Sequence, residues 1–178
     1  AGLAGARASS QLPIRWIIAD DGSEVSERAP LGELRETFSQ VFPNVDLYLM
    51  YGLTEAFRSA YLPPELFHHK MGAIGRAIPN TELYVVNPDK GLCGPGETGE
   101  LIHRGVLISL GYWGKPDATA DKIKPCEHLK PLIGNEKVVF SGDLVRLDED
   151  NILWFVSRAD TMIKSSGFRI SPTEVEDL

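Results

Sequence analysis

The sequence predicts an α/β plus β protein: the end of a large α/β layer (β-α-β), then a small antiparallel β-barrel-like subdomain, then the beginning of a C-terminal domain. Three observations predict it. Two apolar runs, IRWIIA at 14–19 and LYLMY at 47–51, flank one amphipathic helical segment. After Pro79 the chain changes to short apolar runs punctuated by Gly and Pro. Near the end, Ser171, Pro172, Thr173 and Glu174 form a helix-start signature, with Ser171 as cap and Glu174 reaching back to it.

Taken in order, IRWIIA reads as a buried strand and the polar stretch 20–27 as a loop. Pro30 opens a helix in which Leu31, Leu34, Phe38, Val41 and Phe42 recur at helical spacing, and Pro43 stops it. LYLMY is then a second strand. A strand, a crossover helix and a strand pack best with the strands parallel and the helix covering them. Further on, LYVV (83–86), ELIHRG (100–105), VVFSGDLVRL (138–147) and ILWFV (152–156) read as strands, the last two joined by turn residues 148–151. GLCGPGETG (91–99) reads as a loop, and one helical segment spans 116–123. This divides the chain into 1–78, the α/β part; 79–159, the barrel-like part; and 160–178, a hinge with the beginning of another domain. The first residues, AGLAGARASS, lack an initiator Met, and the last helix stops about two turns in, so a truncated chain is expected.

Composition narrows the function. With 43% hydrophobic and 24% charged residues, the chain can bury a core and is not a disordered one. No apolar run reaches the roughly 18 residues of a membrane span. Against 25 Asp and Glu stand 18 Lys and Arg, a net charge of −7, which disfavours general attraction to nucleic acid, so an anionic ligand needs a local site. Two cysteines, Cys93 and Cys126, make neither a CxxC pair nor a disulfide framework, which points to reduced thiols and a cytoplasmic location.

Three segments carry possible chemistry. Tyr51-Gly52-Leu53-Thr54-Glu55 directly follows the second strand, where open α/β sheets collect ligands. Its residue types suit a phosphate ester: an aromatic face, a Gly for close approach, a hydroxyl and a carboxylate for Mg²⁺. A polar turn at a strand end fits the same residues. Phe140-Ser141-Gly142-Asp143 places a Gly and an Asp in an apolar run, where an ionised carboxylate could hold two ribose hydroxyls; a bulge or turn between two strands is the plainer account. Arg158, Asp160 and IKSSGFRI (163–170) read as a hinge followed by a strand or hairpin, with Lys164 and Arg169 fitting equally as solvated edge charges. His68-His69 lacks ligand spacing for a metal, His103 and Arg104 flank a strand, and Trp113 is a packing aromatic that pins a loop.

Together, YGLTE (51–55), GELIHRG with GYW (99–113), SGD (141–143) and R-x-D followed by IK-x-x-G-x-RI-x-P-x-E-x-E (158–176) resemble the adenylate-forming superfamily of acyl-CoA synthetases, peptide-synthetase adenylation domains and luciferases. LYLMYGLTEAFRSAYLPPE further resembles acyl-CoA ligase-like members associated with bacterial exosortase and exopolysaccharide systems. The resemblance implies ATP, Mg²⁺ and coenzyme A or a carrier-protein phosphopantetheine. A carboxylic acid would become acyl-AMP and then a thioester, with an acyl carrier protein as a possible partner. Tyr51 would line the adenine pocket together with Gly52, Thr54 would contact the α-phosphate and Glu55 would hold the metal. Asp143 would grip the ribose hydroxyls beside Arg158, and Asp160 would be the hinge. Lys164 would serve catalysis and Gly167 the thiol-acceptor channel. A phosphate loop of the TSGSTGxPKG kind and a C-terminal adenylation lysine are missing from these residues, and Asp20-Asp21-Gly22-Ser23 stands where a small Gly-rich turn is expected. The 178 residues are therefore expected to be catalytically inert on their own.

Overall fold

The computed structural model describes residues 16–20, 40–41, 45–159, 163–165 and 168–170, the first strand and the last two by backbone alone. β1 (Trp16–Asp20) runs parallel to β2 (Leu47–Leu53), with Trp16 opposite Leu47 and Asp20 opposite Tyr51. This is the parallel pair expected of a β-α-β unit. Gln40 and Val41 are helical, and the rest of the connecting segment lies outside the described residues.

β2 is followed at once by an antiparallel hairpin partner. The chain turns through Thr54 and Glu55 into β3 (Ala56–Leu62), which pairs with β4 (Ala73–Ala77). β5 (Thr81–Asn87), β6 (Gly91–Leu92) and β7 (Thr98–Gly105) follow, then α1 (Pro116–Lys122), β8 (Ile123–Pro125), a 3-10 turn at Glu127–Leu129 and α2 (Lys130–Ile133). β9 (Lys137–Leu147) and β10 (Leu153–Arg158) complete the path. Among the described residues, the strand order is β1-β2-β3-β4-β10-β9-β7-β5-β6, with β8 on β9. β11 (Ile163–Ser165) and β12 (Phe168–Ile170) form a separate antiparallel pair, Lys164 opposite Arg169.

The strands after Pro79 pair antiparallel, as expected, and β10 pairs with β4 as well as β9, which links them to the preceding strands. One expectation is corrected: the stretch 91–99 is not all loop, since Gly91 and Leu92 pair with Asn87 and Val86, and β7 starts at Thr98.

Burial follows position in the sheet. β7 lies between β5 and β9, and its Leu101, Ile102 and His103 show no exposed surface, so both of its faces are covered. One core cluster joins Tyr51, Ile74, Val85, Leu101, Val145 and Leu153 from across the sheet. A second, with Leu49, Leu62, Phe67 and Ile152, lies near the 3-10 turn at Pro64–Leu66. Polar contacts pin the β9–β10 turn there: Lys70 Nζ reaches Asp148 at 2.5 Å and Asp150 at 2.8 Å, and Trp154 Nε1 donates to Asp148 at 2.8 Å. Burial pushes the Asp148 carboxyl up, but these donors and two backbone N–H groups outweigh it and hold it at about 2.

Candidate functional site

The β9–β10 register sets Asp143 directly across from Arg158. Facing side chains on antiparallel strands lie close enough to bond, and Arg158 Nη1 donates to Asp143 Oδ1 at 2.7 Å and to the Ser141 carbonyl at 3.4 Å. Asp143 is 4% exposed, so this is a buried ion pair. The bulge account of Phe140–Asp143 holds: β9 runs through the segment, but its register with β7 shifts between Leu144, opposite Glu100, and Phe140, opposite Ile102, with one left-handed residue, Gly142, at φ +74°. Gly tolerates that conformation without strain. The distortion leaves backbone groups to side chains: Gly142 N donates to Glu100 Oε1 and Asp143 N to Ser141 Oγ, each at 2.9 Å.

Tyr51 arrives from the far side of the path. Its hydroxyl donates to Asp143 Oδ2, a contact between residues 92 positions apart. Asp143 thus has Tyr51 on one oxygen and Arg158 on the other, and each oxygen keeps a second lone pair. The ring stacks on His103, with centroids 6.1 Å apart and planes 20° apart. Burial, then the charge and hydrogen bond of Asp143, push the phenol well above its ordinary value; Arg158 and Ser141 pull weakly the other way.

The pentapeptide does not simply follow β2. Tyr51, Gly52 and Leu53 are in the strand, and only Thr54 and Glu55 form the turn into β3. Thr54 is exposed at its tip, whereas Glu55 is buried and its Oε1 accepts from the Tyr112 hydroxyl. Its carbonyl accepts from Ser109 N at 2.8 Å, and Ala56 bridges to Ile108, so the segment after β7 lies along the hairpin tip. Trp113 does not pin that loop, because its ring is fully exposed; Tyr112 holds it through Glu55.

Gly52 is fixed by its own hairpin. A β-carbon there would stand 2.2 Å from the Arg58 backbone nitrogen, where the β2–β3 register shifts between Tyr51 and Leu53. Gly52→Ala is therefore expected to destabilise the fold by about 1–3 kcal/mol, seen as a lower urea midpoint. An unchanged midpoint would mean that the two backbones can part freely at this point.

Glu55 suits Mg²⁺ only in company. Tyr112 takes one carboxylate oxygen, leaving Oε2 for a cation. Among the described residues no group of three or more His, Cys, Asp or Glu could hold a metal by itself. Such an arrangement fits the habit of Mg²⁺, which takes one or two carboxylates and completes its shell with substrate phosphates and water.

The structure therefore brings Tyr51, Asp143 and Arg158 into contact and places Gly52, Thr54 and Glu55 at the adjoining hairpin end. Lys164 lies in β11, where only its backbone is described; Asp160 and Gly167 lie outside the described residues. Sequence reasoning missed Tyr112 as the partner of Glu55 and placed His103 at a strand's flank, where the structure puts it inside β7 against Tyr51. The available signal for His103 was its setting in an apolar strand run, next to an arginine on the opposite face.

The chain is similar to a large set of known proteins. The family described as AMP-binding enzyme matches residues 11–113. A long-chain-fatty-acid–CoA ligase from Salmonella typhimurium (strain LT2) is 38% identical over 128 residues, covering 72% of this chain and 21% of that protein. The 4-coumarate–CoA ligase 1 of Solanum tuberosum is 34% identical over 177 residues, covering 96% and 31%. The chain thus spans between a fifth and a third of these relatives. Among solved structures, IdnL1 matches with a TM-score of 0.71 at 30% identity, over 89% of this chain and 31% of that one. An o-succinylbenzoate CoA synthetase from Bacillus subtilis, a double mutant bound with its product analogue, matches with a TM-score of 0.66 at 26% identity, over 90% and 30%. The mostly antiparallel sheet is accordingly the architecture of part of an adenylation domain, and with more than half its length matched, the chain belongs to the AMP-binding enzyme family, within the adenylate-forming superfamily.

Proposed function

We propose that this chain carries the nucleotide-holding part of an AMP-forming acid–thiol ligase. The carboxylate oxygen of an acid attacks the α-phosphorus of ATP, the bond to the β-phosphate oxygen breaks, and pyrophosphate leaves with its electron pair. A thiolate then attacks the acyl carbon and AMP departs with the oxygen it gained. Coenzyme A is the preferred thiol, because relatives at 34–38% identity are named CoA ligases. The observation that carries the proposal is the single buried cluster that Tyr51, Asp143 and Arg158 form from three distant segments.

Each role follows from the chemistry of the group. Asp143 accepts hydrogen bonds from vicinal ribose hydroxyls through its remaining lone pairs, and Arg158 keeps it oriented. Tyr51 backs the adenine side of the site from within the core, its hydroxyl fixed on Asp143. Thr54, exposed at the hairpin tip, donates to an α-phosphate oxygen, and Glu55 holds Mg²⁺. The metal would neutralise charge building on the phosphates. No protein nucleophile is required, since positioning and charge neutralisation supply most of the acceleration in such transfers. Asp160 as hinge, with Lys164 and Gly167 serving the thiol step, completes the proposal. The hinge would separate the large unit from the C-terminal one. The stretch 47–65 supports placement near the exosortase-associated ligase-like group.

Calorimetric titration of the 178-residue chain with ATP and Mg²⁺ tests this. Saturable binding displaced by AMP is expected, without pyrophosphate release on adding fatty or aryl acids, because no phosphate loop is present among these residues. Absence of binding at millimolar ATP would replace the proposal with a fold kept without nucleotide chemistry.

A further inference from the structure

Arg58 is the third residue of β3, on the strand that leaves the Thr54–Glu55 turn. Its backbone is left-handed, at φ +52°, beside the register shift where β2 and β3 crowd each other at Gly52. A residue with a β-carbon holds that conformation at a cost, and such outliers gather at ligand-holding positions. In an extended strand Phe57 and Arg58 would point to opposite faces. Here the guanidinium lies over the Phe57 ring, 4.8 Å from its centroid, so the left-handed residue lays one neighbour over the other.

The charge of Arg58 is left unanswered. Among the described residues it has no carboxylate within 4.0 Å. Its Nε is buried without a hydrogen-bond partner, whereas the two terminal nitrogens are not closed off in this way and carry no hydrogen bond there either. Stacking on Phe57 uses the face of the guanidinium and leaves the donors at its outer edge free. A cation that only served solubility would gain more from water on a regular strand, where no N–H need be shut away unpaired. The ring beneath it is also uncovered, with Phe57 65% exposed. Ala56, the preceding residue, bridges to Ile108, in a segment that exposes Val106 and Leu110 as well.

We infer that Arg58 binds a carboxylate of the acid substrate, with Phe57 as apolar support for the body of that acid. Nη1 and Nη2 present two N–H bonds side by side, which match the two oxygens of a carboxylate. The exposed ring favours an acid with an apolar body over a phosphate, which has none. The turn that carries Thr54 and Glu55 lies on the same hairpin, so the acid would sit beside the nucleotide phosphates. The inference rests on the ligase reading above and adds to it a residue for the acid.

Hexanoate, adipate, hexanol and AMP are titrated against the unaltered chain, Arg58→Met, Arg58→Lys and Arg58→Gly, followed by amide chemical shifts so that weak binding is seen. The acids should bind the unaltered chain saturably and shift the amides of Phe57 and Arg58, and hexanol should bind more weakly. Arg58→Met should weaken the acids roughly tenfold or more, as expected for charge-assisted bonds, and leave AMP affinity unchanged. Arg58→Lys should restore only part, because an ammonium lacks the planar fork. Arg58→Gly removes the side chain and relieves the backbone, so it should match the loss of acid binding with a urea midpoint no lower than that of the unaltered chain. An Arg58-dependent preference for adipate over hexanoate assigns the contact to a second carboxylate of the substrate; equal affinities assign it to the reacting one. Acid affinity equal in the unaltered chain and Arg58→Met, or no acid binding to the unaltered chain while AMP binds, overturns the inference and leaves the nucleotide proposal standing. Loss of AMP affinity as large as that of the acids makes Arg58 a phosphate or structural residue and also overturns it. If the unaltered chain does not bind AMP, the nucleotide proposal fails, and this inference with it.

Discussion

Replacing Asp143 with alanine is expected to weaken adenine-nucleotide binding by at least tenfold and to destabilise the fold by about 3–5 kcal/mol. The two losses have different origins. Affinity falls because one or two charge-assisted bonds to the sugar disappear. Stability falls because the Arg158 guanidinium, whose side chain is only 12% exposed, is left in a largely buried place without its counter-charge, while the Tyr51 hydroxyl loses its acceptor. Urea titration reads the second loss and calorimetry below the unfolding transition reads the first. Asp143→Asn, which keeps an acceptor and the shape, should retain more stability than alanine. Unchanged nucleotide affinity in the alanine variant would remove the ribose assignment, and unchanged stability would mean that the ion pair contributes nothing net.

The second large effect is acid lability centred on His103. Its ring shows no exposed surface, neither nitrogen has a hydrogen-bond partner among the described residues, and burial pulls its pKa from 6.5 down to about 3. The folded protein keeps this ring neutral, whereas the unfolded chain takes up a proton once the pH falls below 6.5. The stabilising contribution is therefore complete above pH 6.5 and is lost progressively as the pH drops towards 3. At about 1.4 kcal/mol per pH unit the full loss is roughly 5 kcal/mol, a large share of an ordinary domain's stability. Chemical denaturation at a series of pH values should show that slope, and His103→Leu should flatten it while being no less stable at neutral pH. A leucine variant with the same slope would shift the cause to the carboxylates.

Much of the fold was legible wherever an element carried an uninterrupted apolar run. β1, β2, β5, β7, β9 and β10 each contain one, and the parallel β1–β2 pair follows from the helical spacing between them. β3 and β4 were not legible, since AFRSAYL and AIGRA interleave arginine, serine and glycine with alanine, and Arg58 takes a left-handed backbone that breaks strand alternation. Pairing of β4 with β10 could not be read either, because contact between segments so far apart is decided by packing and leaves no mark on local spacing. At the candidate site, the meeting of Tyr51 with Asp143 was anticipated from ordered motifs. The Glu55–Tyr112 contact was not, since residues 106–115 show no periodicity and expose Val106, Leu110 and Trp113. Loops of that kind are positioned by single side-chain contacts that no pattern announces.

The register of β9 and β10 also bears on how the cluster assembles during folding. Asp143 and Arg158 are 15 positions apart and are closed by one tight turn, so their meeting is a hairpin event of the microsecond class. Tyr51 must come from 92 positions away, after the intervening strands have docked, and the entropy of closing that loop is met only late. The ion pair thus belongs to the early, local stage of folding and the phenol to the last one, which makes the Tyr51 hydroxyl a reporter of the completed sheet.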